Sequence, residues 1–109
     1  MHKDDKANAI SAIMVGIGST NGTTRAVAEA LVDYVEMFDK KHHDYGPGNI
    51  GALGDKGLFV RAWDKVNRLK SLLWDGKEAQ AEPLVDAWWD LLGYSAIAIV
   101  LLRGQWGPD

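Results

Sequence analysis

The sequence predicts an all-α protein, a small helical bundle of three main helices plus an N-terminal arm or short helix, completed by oligomerisation. Apolar residues recur at helical spacing in three successive segments. No convincing run of alternating β-branched residues follows Gly22, so a sheet is not expected. At 109 residues the chain is one domain, near the size at which a second subunit helps to complete a core. We divide it into an N-terminal segment 1–23, a helical domain 24–104 and a C-terminal tail 105–109.

The N-terminal segment allows two interpretations. The stretch ISAIMVGIGSTNGTTRAVAEAL, residues 10–31, resembles the first strand, phosphate loop and helix of a flavodoxin, which would bind a flavin through residues 16–24. A flavodoxin-like sheet needs further strands that the sequence does not offer. Their absence favours a flexible arm or short helix, followed by a helix that a hydroxyl side chain caps. The candidate caps are Ser19, Thr20, Thr23 and Thr24.

The first main helix is predicted from about Thr24 to His42. Apolar side chains at helical spacing make one stripe, which we expect to face the core. This stripe consists of Val27, Ala30, Leu31, Tyr34, Val35 and Phe38. Charged residues on the opposite side are expected to be solvated, and these are Glu29, Asp33, Glu36 and Lys40.

The second main helix is predicted from Leu58 to about Trp74. Its core stripe consists of Leu58, Ala62, Val66, Leu69, Leu72 and Leu73. Arg61, Asp64 and Arg68 fall together on another face at i, i+3 and i+7, which is the spacing of an exposed ion-pair ladder or of a binding surface.

The third main helix is predicted from about Glu82–Pro83 to Leu102. Nearly every face of it is apolar, so we expect it to be central in the bundle or covered by a second subunit. Its most apolar run, residues 91–102, falls short of the ~20 residues that span a bilayer, and we interpret it as a buried helix with no membrane role.

Composition narrows the possible partners. The formal net charge is −3, so no global basic field is present to attract nucleic acid or an anionic membrane. The absence of cysteine excludes disulfides, thiolate metal sites and cysteine nucleophiles. The N-terminal residues carry acids where a signal peptide has bases, which favours a cytoplasmic protein. A homo-oligomer, dimer or higher, is expected because five tryptophans are many for one small core.

Three acids repeat along one side of the third helix. Glu82, Asp86 and Asp90 lie at i, i+4 and i+8, and the same side continues as Gly93, Tyr94 and Ile97. A buried carboxylate must be neutralised by a cation, and hard oxygen donors suit Mg²⁺ or Mn²⁺. Alternatively, Glu82 interacts with the helix dipole while the two aspartates pair with basic residues of the second helix. Those basic residues are Arg61, Lys65 and Arg68.

Three blocks of the sequence resemble a known family. They are KHHDYG at residues 41–46, GLFVRAWDKVNRLKSLL at 57–73 and EPLVDAWWDLLGYSAI at 82–97. They are similar to the K-x-x-D-Y-G loop, the R-x-x-D-K-x-x-R helix and the E-x-x-x-D-x-x-x-D-x-x-x-Y helix of the nucleotide modification associated domain family of phages and bacteria. The resemblance covers about residues 26–102.

The resemblance implies a small all-α protein encoded with genes of nucleotide metabolism or DNA base modification, in the cytoplasm of a bacterium or phage-infected host. Its carboxylate-bearing helices look similar to those of MazG-like nucleoside triphosphate pyrophosphohydrolases, which bind Mg²⁺ through two acidic pairs. This sequence departs from that pattern, since Glu36 and Asp39 are only an imperfect, solvent-facing substitute for a second pair.

The resemblance also implies roles for individual residues. Asp86 and Asp90, with Asp64, would be catalytic, and Glu82, Asp86 and Asp90 would hold Mg²⁺ or Mn²⁺ and orient a water. A nucleotide or deoxynucleotide would be bound through phosphate, sugar and base contacts. The residues expected to make those contacts are Lys41, Asp44, Tyr45, Gly46, Asn49, Arg61, Lys65 and Arg68. For the loop, a plain helix-to-helix turn is the alternative interpretation.

Three functions follow as hypotheses. The first is a metal-dependent hydrolase of a (deoxy)nucleotide, of the pyrophosphohydrolase type. The second is a nucleotide-binding accessory protein without turnover. The third is the flavodoxin-like flavin binder. Direct binding to nucleic acid is not expected in any of them.

Overall fold

The computed structural model describes residues 1–80 and 82–107, and within these ranges it is helical throughout, without a strand. The prediction of an all-α protein is confirmed. The helices are α1 (Lys3–Ile17), α2 (Gly22–Tyr45), α3 (Gly48–Gly51), α4 (Gly54–Leu69), a π-helical turn (Lys70–Trp74) and α5 (Leu84–Leu102). They form two compact units, Met1–Asp44 and Tyr45–Asp109.

The N-terminal segment is a helix of 15 residues, the second of the two forms expected for it. The strand that a flavodoxin-like domain needs from Ile10 onward is helical instead, so that interpretation is wrong. The predicted caps of the next helix were also wrong. The Asn21 side chain accepts hydrogen bonds from the Thr23 and Thr24 amides at 2.8 and 3.1 Å, and its Oδ1 therefore satisfies two donors that α2 leaves unpaired at its start.

The core of the first unit is formed by α1 against α2. Ile10 and Met14 of α1 are buried together with Ala28 and Val32 of α2. Burial of these apolar side chains contributes about 25 cal/mol per Å². Lys6 and Asp33 form an ion pair of 2.6 Å at the edge of this core.

The predicted core stripe of α2 was wrong in its register. Val27, Leu31 and Val35 are exposed, and the buried positions are the neighbouring Ala28 and Val32. Apolar residues occupy a wide arc of this helix, and the position of α1 decides which part is covered. Glu36, expected to be solvated, is half-buried and pairs with the Met1 amine. The hydrogen bond from this amine lowers the pKa of the Glu36 carboxyl, and the positive charge of the amine adds to the effect.

The core of the second unit is formed by α4 against α5. Leu58 is 2% exposed and Ala87 is 1% exposed, and Leu69, Gly93 and Ile97 are buried beside them. The predicted places of Leu58 and Leu69 in the core stripe are confirmed. Two further predicted members, Val66 and Leu73, are exposed instead, because the buried side of α4 is centred on Leu58 and Leu69 and Leu73 lies in the π-helical turn beyond it.

Within the chain, helix α5 is covered on only one of its faces. Val85, Trp88, Ile99 and Leu102 are each at least half exposed, so α5 is not buried on every side within one chain. The other expectation for this helix, that a second subunit covers it, stays a prediction. The helix Leu84–Leu102 is long and apolar enough to cross a membrane by length and composition, a test that core helices of soluble proteins also pass. Its open face therefore adds to the exposed apolar surface of the second unit, to which α4 contributes Phe59, Val60 and Trp63.

Candidate functional site

Six polar side chains lie along the contact between α4 and α5, and we name them the α4–α5 polar strip. Those from α4 are Arg61, Lys65 and Arg68, and those from α5 are Asp86, Asp90 and Tyr94. All six are half-buried. The strip arises because these residues share helix faces with the buried core: Lys65 lies four residues before Leu69, and Asp90 seven before Ile97.

Lys65 and Asp90 form the central contact of the strip. The Lys65 Nζ lies 2.9 Å from the Asp90 Oδ2, and the two side chains are 24% and 30% exposed. The hydrogen bond to Asp90 raises the pKa of Lys65, and the negative charge of the same carboxylate adds to the effect, while burial opposes it. The alternative to metal binding that the sequence allowed, in which the aspartates of α5 pair with basic residues of α4, therefore holds for Asp90.

The raised pKa of Lys65 predicts a loss of stability at alkaline pH. A pKa above its ordinary value of 10.5 in the folded chain means that the pair stabilises fully below that value and is lost as pH rises through the folded-state pKa. We expect the free energy of unfolding to fall more steeply above about pH 10.5 in the wild type than in Lys65→Met, which has no pair to lose.

This difference can be measured by urea denaturation followed through tryptophan fluorescence. All five tryptophans lie in the second unit, so the signal reports that unit. Tyr34, whose pKa burial raises, and Lys6, whose pKa the hydrogen bond to Asp33 raises, act in the same direction but are present in both proteins. Parallel pH profiles for the two proteins would contradict the prediction.

Arg68 connects α4 to the segment that leads into α5. Its Nη2 donates a hydrogen bond of 2.6 Å to the Glu82 backbone carbonyl. Its Nε is buried and makes no hydrogen bond within the described residues. An unsatisfied buried donor costs about 1–3 kcal/mol, and an acceptor bound at the Arg68 Nε would remove this cost.

Glu82 does not belong to the helix that carries the other two acids. The helix begins at Leu84, and Glu82 is exposed two residues before it. The repeat of three acids on one helix is therefore reduced to Asp86 and Asp90. Within residues 1–80 and 82–107, no three His, Cys, Asp or Glu side chains are grouped so that they could hold a metal ion.

We call Asp86 the open carboxylate of the strip because its side chain has no partner among the described residues. It is half-buried, and its side chain makes no hydrogen bond or ion pair with another described residue. Its backbone amide donates to the Pro83 carbonyl at 3.1 Å, which fixes the residue in the first turn of α5. Among the described residues, the Asp86 oxygens therefore have no partner, whereas one oxygen of Asp90 contacts Lys65.

Asp64 is not part of the strip. Arg61 and Arg68 are half-buried, whereas Asp64, which lies on the same side of α4 as the spacing predicts, is exposed at its outer edge. The reason is geometric, because the face that α4 turns to α5 contains positions 58, 61, 65 and 69, and position 64 lies outside it.

The predicted loop residues are placed differently from the expectation. Lys41, Asp44 and Tyr45 are exposed and belong to the last turns of α2, so the loop begins only at Gly46, whose φ of +69° ends the helix. The Asp44 Oδ1 lies 3.4 Å from the His43 Nδ1. Asn49 is exposed in the short helix α3.

These residues fall in different parts of the chain. Lys41 and Asp44 belong to the first compact unit, and Tyr45, Gly46 and Asn49 belong to the second. The polar strip lies wholly within the second unit. The roles predicted for Lys41 and Asp44 stay predictions.

One contact of the second unit had no signal in the sequence. Trp106, in the predicted C-terminal tail, donates a hydrogen bond of 3.1 Å from its indole Nε1 to the Pro47 carbonyl. The contact joins positions 59 residues apart, and no spacing rule relates them.

Comparison of the chain with known proteins found no matching family model, no matching curated protein and no matching solved structure. The polar strip is therefore interpreted from its own chemistry.

Proposed function

We propose that the protein binds a (deoxy)nucleoside triphosphate together with Mg²⁺ or Mn²⁺ at the α4–α5 polar strip and hydrolyses it, as a pyrophosphohydrolase does. One observation carries the proposal. The strip combines an open carboxylate, Asp86, with three half-buried cations from α4. A nucleotide bound with a metal ion needs both kinds of group.

The cations of the strip fit phosphate. The strip contains three cations, Arg61, Lys65 and Arg68, beside the carboxylates of Asp86 and Asp90, and the charge of the exposed Glu82 carboxylate also acts on Lys65. These cations are grouped in a chain whose net charge is −3. Arginine presents a planar fork of donors to phosphate oxygens, and lysine presents a compact charge. The unsatisfied Nε of Arg68 is a donor that an incoming oxygen could use, which would remove its cost.

The carboxylates fit a metal ion that arrives with the nucleotide. Mg²⁺ is usually held by one or two carboxylates plus substrate phosphates and waters, so a group of three protein ligands is not required. Asp86 would supply one carboxylate, and Asp90 a second after exchanging its contact with Lys65. When bound, the ion would supply charge stabilisation at the phosphate and lower the pKa of a bound water. Asp86 and Lys65 would meanwhile orient the metal-bound phosphates.

A nucleotide-binding accessory protein without turnover is the second candidate. The ion pair of 2.9 Å between Lys65 and Asp90 favours it, because one of the two carboxylates is already neutralised by the protein itself. In this candidate Lys65 keeps Asp90, and the strip binds phosphates without attacking them.

A turnover screen separates these two candidates. The purified protein is incubated with each canonical NTP and dNTP, with Mg²⁺ or Mn²⁺ or with EDTA, and the products are separated by chromatography. The hydrolase reading predicts metal-dependent release of pyrophosphate and a nucleoside monophosphate from at least one of them. The accessory reading predicts no product but higher thermal stability in the presence of the same nucleotide.

We also propose that α5 mediates association with a second copy of the chain. Its exposed side chains include Val85, Trp88 and Ile99, and residues 91–102 contain no charge that would select a charged partner. A second copy offers the same uncharged surface, and large aromatic residues are enriched in such interfaces. The proposal also explains why so few apolar residues are buried within one chain.

The mass of the protein in solution tests this association. Light scattering after gel filtration is expected to give a dimer or higher oligomer for the wild type and a smaller species for Ile99→Glu, because a charge in an apolar interface is costly to bury. Glu78→Gln, at an exposed position outside the helices, is the control. A monomeric wild type, or a wild type that partitions onto lipid vesicles, would contradict the proposal.

A further inference from the structure

The C-terminal turn of the chain contacts the segment that precedes α4. Helix α5 ends at Leu102, and Gly104, with φ of +69°, reverses the chain. The Gln105 amide donates to the Val100 carbonyl at 3.0 Å, which closes this turn. Trp106 is then half-buried, although its neighbours Gln105 and Gly107 are exposed.

The Pro47 carbonyl is the acceptor at the centre of this contact. It accepts the hydrogen bond from the Trp106 indole at 3.1 Å and a second from the Gly51 amide at 3.3 Å. Both lone pairs of this carbonyl are therefore used. One bond comes from within the short helix α3 and the other from the far end of the chain.

Gly51 provides the space for the indole ring. A methyl group at this position would overlap the ring and would lie only 2.8 Å from its Cδ1 atom. At Gly48, three residues earlier in the same short helix, an added methyl group would meet nothing within 4 Å. The absence of a side chain is thus needed at Gly51 and not at Gly48.

The segment 46–53 is weak without this contact. Helix α3 has four residues, and the two backbone bonds at its end, Gly51 to Pro47 and Ala52 to Asn49, are long at 3.3 and 3.4 Å. Isolated helices of this length are unstable in water, and glycine adds backbone entropy to the open state. A clamp from elsewhere in the chain would supply the missing order.

We infer that Trp106 is a positioning residue that clamps segment 46–53 through the Pro47 carbonyl and the space at Gly51. The clamp would hold Gly46 and Asn49, two of the predicted nucleotide-binding residues, in one place within the second unit. This consequence for ligand binding rests on the proposed function. The clamp itself does not.

Hydrogen exchange of the Gly51 and Ala52 amides, followed by NMR, tests the clamp without any ligand. Trp106→Ala is expected to speed their exchange about tenfold, roughly what the loss of one hydrogen bond and its packing permits. Gly51→Ala should speed exchange at Ala52 similarly, because the added methyl group displaces the ring. Trp106→Phe keeps a ring without the N–H donor and should fall between the wild type and Trp106→Ala.

A double variant shows whether the two positions act together. Once Trp106 is Ala, the change Gly51→Ala has no ring to displace, so the double variant should exchange no faster at Ala52 than Trp106→Ala. Gly48→Ala is the matched control and should leave this exchange unchanged. Exchange of the Ile97 amide in α5 should be unchanged in every variant, which shows that the second unit remains folded.

Unchanged exchange in Trp106→Ala, or additive effects in the double variant, would overturn the clamp. Nucleotide affinity, measured in parallel, should fall in the variants whose exchange rises, and an affinity that is unaffected would overturn the positioning role. If the wild type binds no nucleotide, the proposed function fails, and the exchange rates still decide whether the clamp exists.

Discussion

Replacing Asp86 with Asn is expected to reduce metal-dependent nucleotide hydrolysis by about 100-fold or more while the protein stays folded. The amide keeps the size of the side chain but removes the negative charge that would hold the metal ion. Asp86 makes no hydrogen bond or ion pair with another described residue, so the change breaks no such contact among them. Stability should therefore change little, since substitutions that break no contact usually stay within about 0.5 kcal/mol.

The comparison is made by measuring kcat/KM over a range of Mg²⁺ concentrations for the wild type, Asp86→Asn and Asp55→Asn. Asp55 is an exposed acid in the first turn of α4 and serves as the matched control. The account predicts a loss in Asp86→Asn that higher Mg²⁺ partly restores. Equal rates in all three proteins would contradict a role of Asp86 in the reaction.

Replacing Leu58 with Ala is expected to produce the largest loss of stability in the second unit. Leu58 is 2% exposed and is the largest fully buried side chain of the described structure. Removing most of such a side chain costs about 2–5 kcal/mol, because apolar contacts are lost and a cavity remains. This is a large share of the roughly 5–15 kcal/mol by which small domains are stable.

Urea denaturation followed by tryptophan fluorescence measures this loss. The control is Val60→Ala, two residues along the same helix, where the side chain is 62% exposed and the expected loss is below about 1 kcal/mol. Similar losses in the two variants would mean that α4 turns a different face to α5 from the one described.

The helical class and the contact between α4 and α5 could be predicted from the sequence because they depend on local periodicity. The spacing of Leu58 and Leu69 placed them correctly in the core, and the side of α5 with Asp86 and Asp90 does continue to the buried Gly93 and Ile97. Periodicity reports which residues share a face of a helix, and in α4 it identified the face on which Leu58 and Leu69 are buried.

The register of α2 could not be predicted in the same way. Val27 with Leu31 and Ala28 with Val32 both lie on apolar faces, and the predicted stripe contained the first pair. The partner helix α1 decides between them, and its side chains Ile10 and Met14 pack against the smaller pair. Such a choice depends on a contact between separate elements, which no pattern within α2 contains.

The contacts that define the polar strip are also long-range. The sequence allowed two interpretations of Asp90, as a ligand of a metal ion or as the partner of a basic residue. The Lys65 Nζ lies 2.9 Å from the Asp90 Oδ2 only because α4 packs against α5. Trp106 and Pro47 are further apart still, and neither lies in a pattern that predicts a contact.

We propose that the half-buried cations of α4 bind the phosphates of a nucleotide. Isothermal titration with each canonical nucleotide, in the presence of Mg²⁺, measures this binding. The wild type is compared with Arg61→Gln and with Lys56→Gln, which changes an exposed lysine outside the strip. The account predicts that the wild type and Lys56→Gln bind at least one nucleotide with equal affinity. We expect Arg61→Gln to bind that nucleotide with an affinity at least about tenfold lower, since a charge-assisted hydrogen bond is worth about 1.5–3 kcal/mol. Equal affinity in Arg61→Gln, or no binding of any nucleotide by the wild type, would contradict it.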